Sequence, residues 1–232
     1  MSTAFHKFPS TPHLVWLSNN LVREDKIMTP SETVRFLSGT VIVEEKIDGA
    51  NLGLSFGEEG ELRFQNRGNW LKGKLDGQWE RLRGWAATYE ATLRHLLPRQ
   101  HILFGEWCYA QHSVNYTRLP DWFLAFDVYD GEQGKFWNVA RRNELTQKAG
   151  IVCVPEVARG HFTLQKIKAM LSGRSSIGDC PREGLYLRRD DSKFLLDRAK
   201  IVQPEFTQAI EEHWSKSALT RNSLASMQLQ NA

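Results

Sequence analysis

The sequence predicts an α+β domain, and three observations carry that expectation. Segments rich in β-branched and aromatic residues come in pairs joined by short turns, capped or amphipathic helical stretches lie between them without regular alternation, and no stretch repeats. At 232 residues, 41% apolar and 25% charged, the composition is that of an ordinary globular chain and excludes disordered and fibrous classes.

Thr29-Pro-Ser-Glu32 has the form of a capping box with proline at the first helical position, and Gly39 is a stop signal, so a short helix is expected between them. The segment before it, rich in Pro, Ser and Asn, reads as irregular. Val41 to Lys46 reads as a strand, and the alternating Leu52, Leu54 and Phe56 as a second. Gly57 to Gly60 then turns the chain into a hairpin partner over Glu61 to Gln65. Between Asp76 and Pro98 apolar residues recur at three and four (Trp79, Leu82, Ala86, Tyr89, Leu93, Leu96), which predicts one amphipathic helix capped by Asp76.

Further along, His101 to Tyr109 and Trp122 to Tyr129 read as strands, with Asp130-Gly131 as a turn. Ala140 to Ala149 and Thr163 to Leu171 read as helices closed by Gly150 and Gly173. Glu183 to Arg189 and Lys193 to Val202 read as strands around an Asp-Asp-Ser turn. Pro204 opens a last helix expected to run to about Lys216, followed by a frayed polar tail. The expected organisation is one domain over residues 1–204 with a short helix and tail over 205–232.

No apolar run approaches the roughly 20 residues that span a bilayer. Met1 to Pro12 lacks the charged-then-apolar pattern of a secretory signal, so no membrane partner and a cytoplasmic location are expected. Cys108, Cys153 and Cys180 are odd in number and widely spaced, which supports neither a disulfide framework nor a zinc site. The net charge is only +3, but Arg63 to Arg99 holds eight Lys or Arg against three acids, interleaved with Trp70, Trp79 and Trp85. That stretch is read equally as a solvated helix face and as a phosphate-contacting patch.

Chemistry enters at Lys46-Ile-Asp48-Gly49. A lysine at the end of an apolar strand can be partly desolvated and act as a nucleophile, and glycine lets the backbone turn sharply. A KxDG string arises by chance in roughly 5% of chains this long, so its company matters. Glu45-Lys-Ile-Asp-Gly-Ala-Asn51, Asn66-Arg67-Gly68, Phe104-Gly-Glu106-Trp107, Phe126-Asp-Val-Tyr129, Arg182-Glu183-Gly184-Leu185 and Arg198-Ala-Lys200 follow one another in the order seen in covalent lysyl-nucleotidyltransferases. The set resembles polynucleotide ligases and mRNA capping enzymes from about residue 41 to 202. Ala110-Gln-His-Ser113 after the Gly-Glu-Trp, and the run from Arg198 to Phe206, look most like ATP-dependent RNA ligases of the nick-sealing branch.

That resemblance implies a nucleotidyltransferase domain, ATP-grasp-like, of mainly antiparallel sheets flanked by helices. It implies ATP as AMP donor and Mg²⁺ or Mn²⁺ as cofactor. RNA bearing a 5′-phosphate and a 3′-OH would be the substrate, in RNA repair, and an end-healing kinase-phosphatase is an admissible partner. Lys46 would form the lysyl-AMP intermediate, Glu106 would bind ribose, Phe126 would stack on adenine and Glu45 would read the base edge through its backbone. Glu183, with Asp48 and Asn51, would hold the metal. Arg67 would contact phosphate or the 3′ end, and Arg198 and Lys200 would stabilise the α-phosphate.

The sequence departs from the family pattern in carrying Arg198 where a lysine is usual. Only 32 residues follow Lys200, too few for an OB-fold domain. The basic stretch and the N-terminal segment are therefore expected to grip the nucleic acid. Alternative readings are a minimal DNA ligase, a GTP-using guanylyltransferase, and an inactive nucleic-acid-end binding module.

Overall fold

The computed structural model describes residues 3–18, 27–209 and 219–225. Two antiparallel sheets organise the chain. The smaller has strand order β10-β9-β1-β8 and is built from β1 (Val41–Lys46), β8 (Glu156–Gly160), β9 (Gly184–Asp190) and β10 (Leu195–Val202). The larger runs β4-β3-β2-β5-β6-β7, from β2 (Ala50–Phe56), β3 (Leu62–Gln65), β4 (Trp70–Leu71), β5 (His101–Trp107), β6 (Phe123–Asp130) and β7 (Lys135–Phe136). The mixed α and β architecture is as expected, although the brief β4 and β7 and all of β8 were not. Pro155 and Gly160 bracket β8 and mask its pairing with β1.

Helices cover the outer faces. α1 (Pro30–Leu37) begins with the expected capping box: Glu32 N donates to Thr29 Oγ1 at 3.2 Å and Thr29 N to Glu32 Oε2 at 2.8 Å. With α5 (Leu164–Leu171) it closes the core of the smaller sheet, where Phe36, Ile167 and Leu171 meet Val41, Val43, Leu185 and Ile201. α4 (Val139–Ala149) is capped by Asn138 and ends at Gly150, whose φ of 70° is the left-handed conformation glycine favours. Beyond α6 (Pro204–Ala209), the expected continuation to Lys216 lies outside the described residues.

The single helix expected over 76–98 is three pieces: a 3-10 turn (Gly77–Trp79), α2 (Leu82–Ala87) and α3 (Glu90–Leu96). Asp76 makes no side-chain cap. The second break has a local cause. Thr88 Oγ1 donates to Trp85 O at 2.7 Å, and the Thr88 and Tyr89 amides bond three residues back, to Trp85 and Ala86. The apolar face survives because all six residues that define it pack in the core of the larger sheet with Trp107 and Phe123.

Among the described residues no helix is long and apolar enough to cross a membrane.

Candidate active site

β1 ends at Lys46 and β2 begins at Ala50, so residues 47–49 carry the chain from one sheet to the other. Between the sheets lies a cleft of about 360 Å³, lined by Phe8, Thr11, Lys46, Asn51, Arg67, Glu106, Phe126, Tyr186 and Lys200 among others. Strand register explains the convergence: Lys46 pairs with Gly184, Lys200 with Tyr186, and Asn51 with Glu106.

Lys46 Nζ lies 2.7 Å from both carboxylate oxygens of Glu183, with the lysine side chain 29% exposed and the glutamate 9%. Burial alone would lower the amine's pKa, but the carboxylates of Glu183, Asp48 and Glu106 outweigh it and hold Lys46 above its ordinary value, hence protonated at rest. Burial pushes the Glu106 carboxyl up to about 8 despite the nearby ammonium, with Asp48 and Glu183 adding to the rise. Glu183 is raised as well, by burial first.

Gly49 is needed for close approach rather than for an unusual torsion. A Cβ there would sit 2.7 Å from Trp107 O and 3.1 Å from Glu106 Cγ. Asp48 turns away from the cleft: its Oδ2 accepts from the amides of Ser113 (2.6 Å) and Val114 (2.9 Å), and its own amide donates to Tyr116 Oη at 2.9 Å. Glu45 points to the opposite side, where Oε2 accepts from Ser176 N and Oγ. Its backbone amide is taken by Pro155 O. Arg67 reaches the N-terminal segment through Ser10 Oγ at 3.1 Å.

Phe126 stands in the cleft with Phe8 edge-on at 5.2 Å. Arg198 is placed apart from Lys200. Its guanidinium lies over the Phe136 ring at 4.1 Å, with Nη1 3.4 Å from Asp127 Oδ2 and 3.3 Å from Tyr186 Oη. It therefore faces the aromatic end of the cleft rather than the lysine end.

An RNA ligase family model matches residues 39–202, well over half of the chain. The chain belongs to the RNA ligase family. No curated protein sequence matches it. Among solved structures, a Naegleria gruberi RNA ligase variant with ATP and Mn is 21% identical at a TM-score of 0.61, covering 75% of this chain and 52% of that one. A second variant of the same ligase with ATP and Mn gives 20% identity and a TM-score of 0.64 over 88% and 57% of the two chains. The same ligase with PPi gives 22% and 0.59 over 77% and 52%. This family member thus spans about half the length of the ligases it resembles, and at these identities the likeness is one of fold.

Several residues that line or support the cleft lay outside the family motifs. Phe8 and Thr11 reach the cleft because residues 12–14 bond to Lys200 as an added strand: Lys200 N donates to Pro12 O at 2.8 Å and Leu14 N to Lys200 O at 2.7 Å. Behind the cleft a buried network ties the sheets together. Arg142 Nη2 donates to Glu44 at 2.6 Å, Arg188 Nη1 to Asp127 at 2.6 Å, and both arginines donate to the carbonyl of Phe126. Arg142 and Arg188 are essentially inaccessible to solvent. Glu44 and Arg188 follow apolar strand runs, which was the available signal, whereas Arg142 sits between Arg141 and Asn143, and nothing local names any of their partners.

The tryptophans of the basic stretch divide. Trp79 and Trp85 pack against the core, with Trp85 Nε1 donating to Asp121, and the Arg63 guanidinium lies 5.7 Å from the Trp70 ring, whereas Lys72, Lys74 and Arg81 are exposed.

The residues also bear on a divalent cation. Among the described residues no group of three or more His, Cys, Asp or Glu is arranged to hold one. The cleft instead offers a buried Asn51 Oδ1 that accepts no hydrogen bond, with the Glu183 carboxylate behind it on the Lys46 amine. Such a sparse oxygen set fits a cation that keeps most of its water and binds with a substrate's phosphates.

Proposed function

We propose that this chain is an ATP-dependent RNA ligase working through a lysyl-AMP intermediate on Lys46. The observation that carries this reading is the Lys46–Glu183 pair, set in a cleft whose far wall presents Glu106 and Phe126.

The amine of Lys46 must leave Glu183 and shed its proton before it attacks. Its lone pair then forms the N–P bond at the α-phosphorus of ATP, and the bond to the bridging oxygen breaks as pyrophosphate departs with the electron pair. Lys200 lines the same cleft and supplies positive charge to the phosphate. Phe126 offers a ring face to adenine. Glu106, protonated at neutral pH, can both donate to and accept from a ribose hydroxyl. A divalent cation bound with the triphosphate, near Glu183 and Asn51, supplies charge that screens the phosphates. In the second step a 5′-phosphate oxygen of the RNA displaces the lysine from the AMP phosphorus, and in the third a 3′-hydroxyl displaces AMP to close the phosphodiester. The activity would serve repair of broken RNA, with ends prepared by a separate kinase-phosphatase.

The test is incubation with α-³²P ATP or GTP and Mg²⁺ beside Lys46→Ala, followed by denaturation. Label from ATP alone, absent from the variant, is expected. Label from GTP would indicate capping chemistry. No label with RNA bound would indicate an end-binding module, and preferential sealing of nicked DNA would overturn the choice of nucleic acid.

A further inference from the structure

Residues 219–225 were expected to be part of a frayed tail, yet they are threaded along the 109–119 segment that follows β5. Ala110 pairs antiparallel with Arg221 and Leu119 parallel with Leu224. Gln111 N donates to Thr220 O at 2.9 Å, Ser223 N to Tyr116 O at 2.9 Å, and Leu119 N to Ser223 O at 3.0 Å. At the centre is Asn222, 4% exposed. Its Nδ2 donates to Cys108 O (2.8 Å) and Ala110 O (3.1 Å), and its Oδ1 accepts from Tyr116 N (2.8 Å). Both amide hydrogens are used, and one side chain satisfies three backbone groups of the 108–116 loop.

That loop is what holds the nucleophile's own turn. Tyr116 Oη receives the amide of Asp48, and the Ser113 and Val114 amides hold its carboxylate, two residues from Lys46. We infer that Asn222 is a positioning residue, and that residues 219–225 act as a clasp which sets Lys46 for nucleotidyl transfer through Tyr116 and Asp48. The inference rests on the nucleotidyltransferase reading above.

The test uses four full-length chains: wild type, Asn222→Ser, Tyr116→Phe and the double variant. Serine cannot span the three backbone groups, and phenylalanine removes only the hydroxyl that receives the Asp48 amide. Expected is a fall of at least about tenfold in the single-turnover rate of lysyl-AMP formation at saturating ATP. The half-saturating ATP concentration should stay within about twofold. The double variant should be no slower than the slower single one, because both changes cut one line of support. Amide exchange of residues 112–117 should quicken in Asn222→Ser. Label in wild type with undiminished rates in both single variants, or losses that multiply in the double, overturns the clasp alone. Absence of label from wild type overturns the nucleotidyltransferase reading itself. If Asn222→Ser does not melt cooperatively, Tyr116→Phe carries the test, and full activity in it overturns the inference.

Discussion

Arg142 donates through Nη1 to the backbone carbonyl of Phe126 at 2.7 Å while its Nη2 holds Glu44 at 2.6 Å. One guanidinium on α4 thus grips both the strand bearing the aromatic wall of the cleft and the strand that ends at Lys46. Arg188 adds a second tie, from β9 of the smaller sheet to the same carbonyl and to Asp127 beside it on β6.

Because Glu44 is fully buried and would keep only Arg188, 3.9 Å away, Arg142→Met should cost about 3–5 kcal/mol. Adding Glu44→Leu should restore most of that loss. Urea denaturation of the two variants measures both effects, and a single-variant loss below about 1 kcal/mol would sink the idea that the pair is a structural tie.

Glu183→Gln removes the main influence that keeps the Lys46 amine charged. The amine's pKa should fall, so Lys46 should react faster with an amine-selective acylating reagent near neutral pH, read by peptide mass mapping. Lysyl-AMP formation should drop by about a hundredfold in the same variant, since the carboxylate is lost from the site. An unchanged acylation rate would contradict the first half.

Glu106 titrates in the folded chain at about 8 rather than at its ordinary 4.5. The folded state therefore keeps a proton that the unfolded chain releases, and stability from this group is full below 4.5, falls as pH rises and levels off above 8. Glu183 shifts in the same direction, while the raised Lys46 contributes its loss only at higher pH. Glu106→Gln should accordingly flatten the decline of Tm between about pH 5 and pH 9, as followed by thermal melts. An unaltered slope would show that Glu106 is not the group responsible.

That Lys46, Glu106, Phe126, Glu183 and Lys200 gather about one candidate site could be expected from the sequence because each motif is a short local string. What could not be read depends on distant partners. Arg142 and Glu44 are 98 positions apart, Asn222 and Tyr116 are 106, and no periodicity links them. The helix over 76–98 failed differently, since its apolar spacing is real but Thr88 reroutes the backbone bonds without disturbing it. Arg198 was read from its neighbours in sequence, whereas strand register sets it beside Arg188 and against Asp127.

Charge reversal of Lys72, Lys74 and Arg81 should weaken RNA binding by the proposed ligase across sequences alike. The slope of log affinity against log salt should become shallower by about 0.7 for each phosphate that the protein no longer neutralises. Filter binding over a salt series reads this, and an unchanged slope would place the RNA elsewhere.

On the proposed reading the two sheets would divide the work. The side chains proposed for the phosphate, Lys46, Glu183 and Lys200, belong to the smaller sheet or its immediate flank, while those proposed for the nucleoside, Glu106 and Phe126, belong to the larger. Holding the nucleoside's ring and sugar and making the bond would then rest on separate sheets. Their alignment is entrusted to a three-residue bridge and a pair of hidden arginines. An engineer seeking a new nucleotide preference would recut one half of the jaw and leave its hinge pins alone.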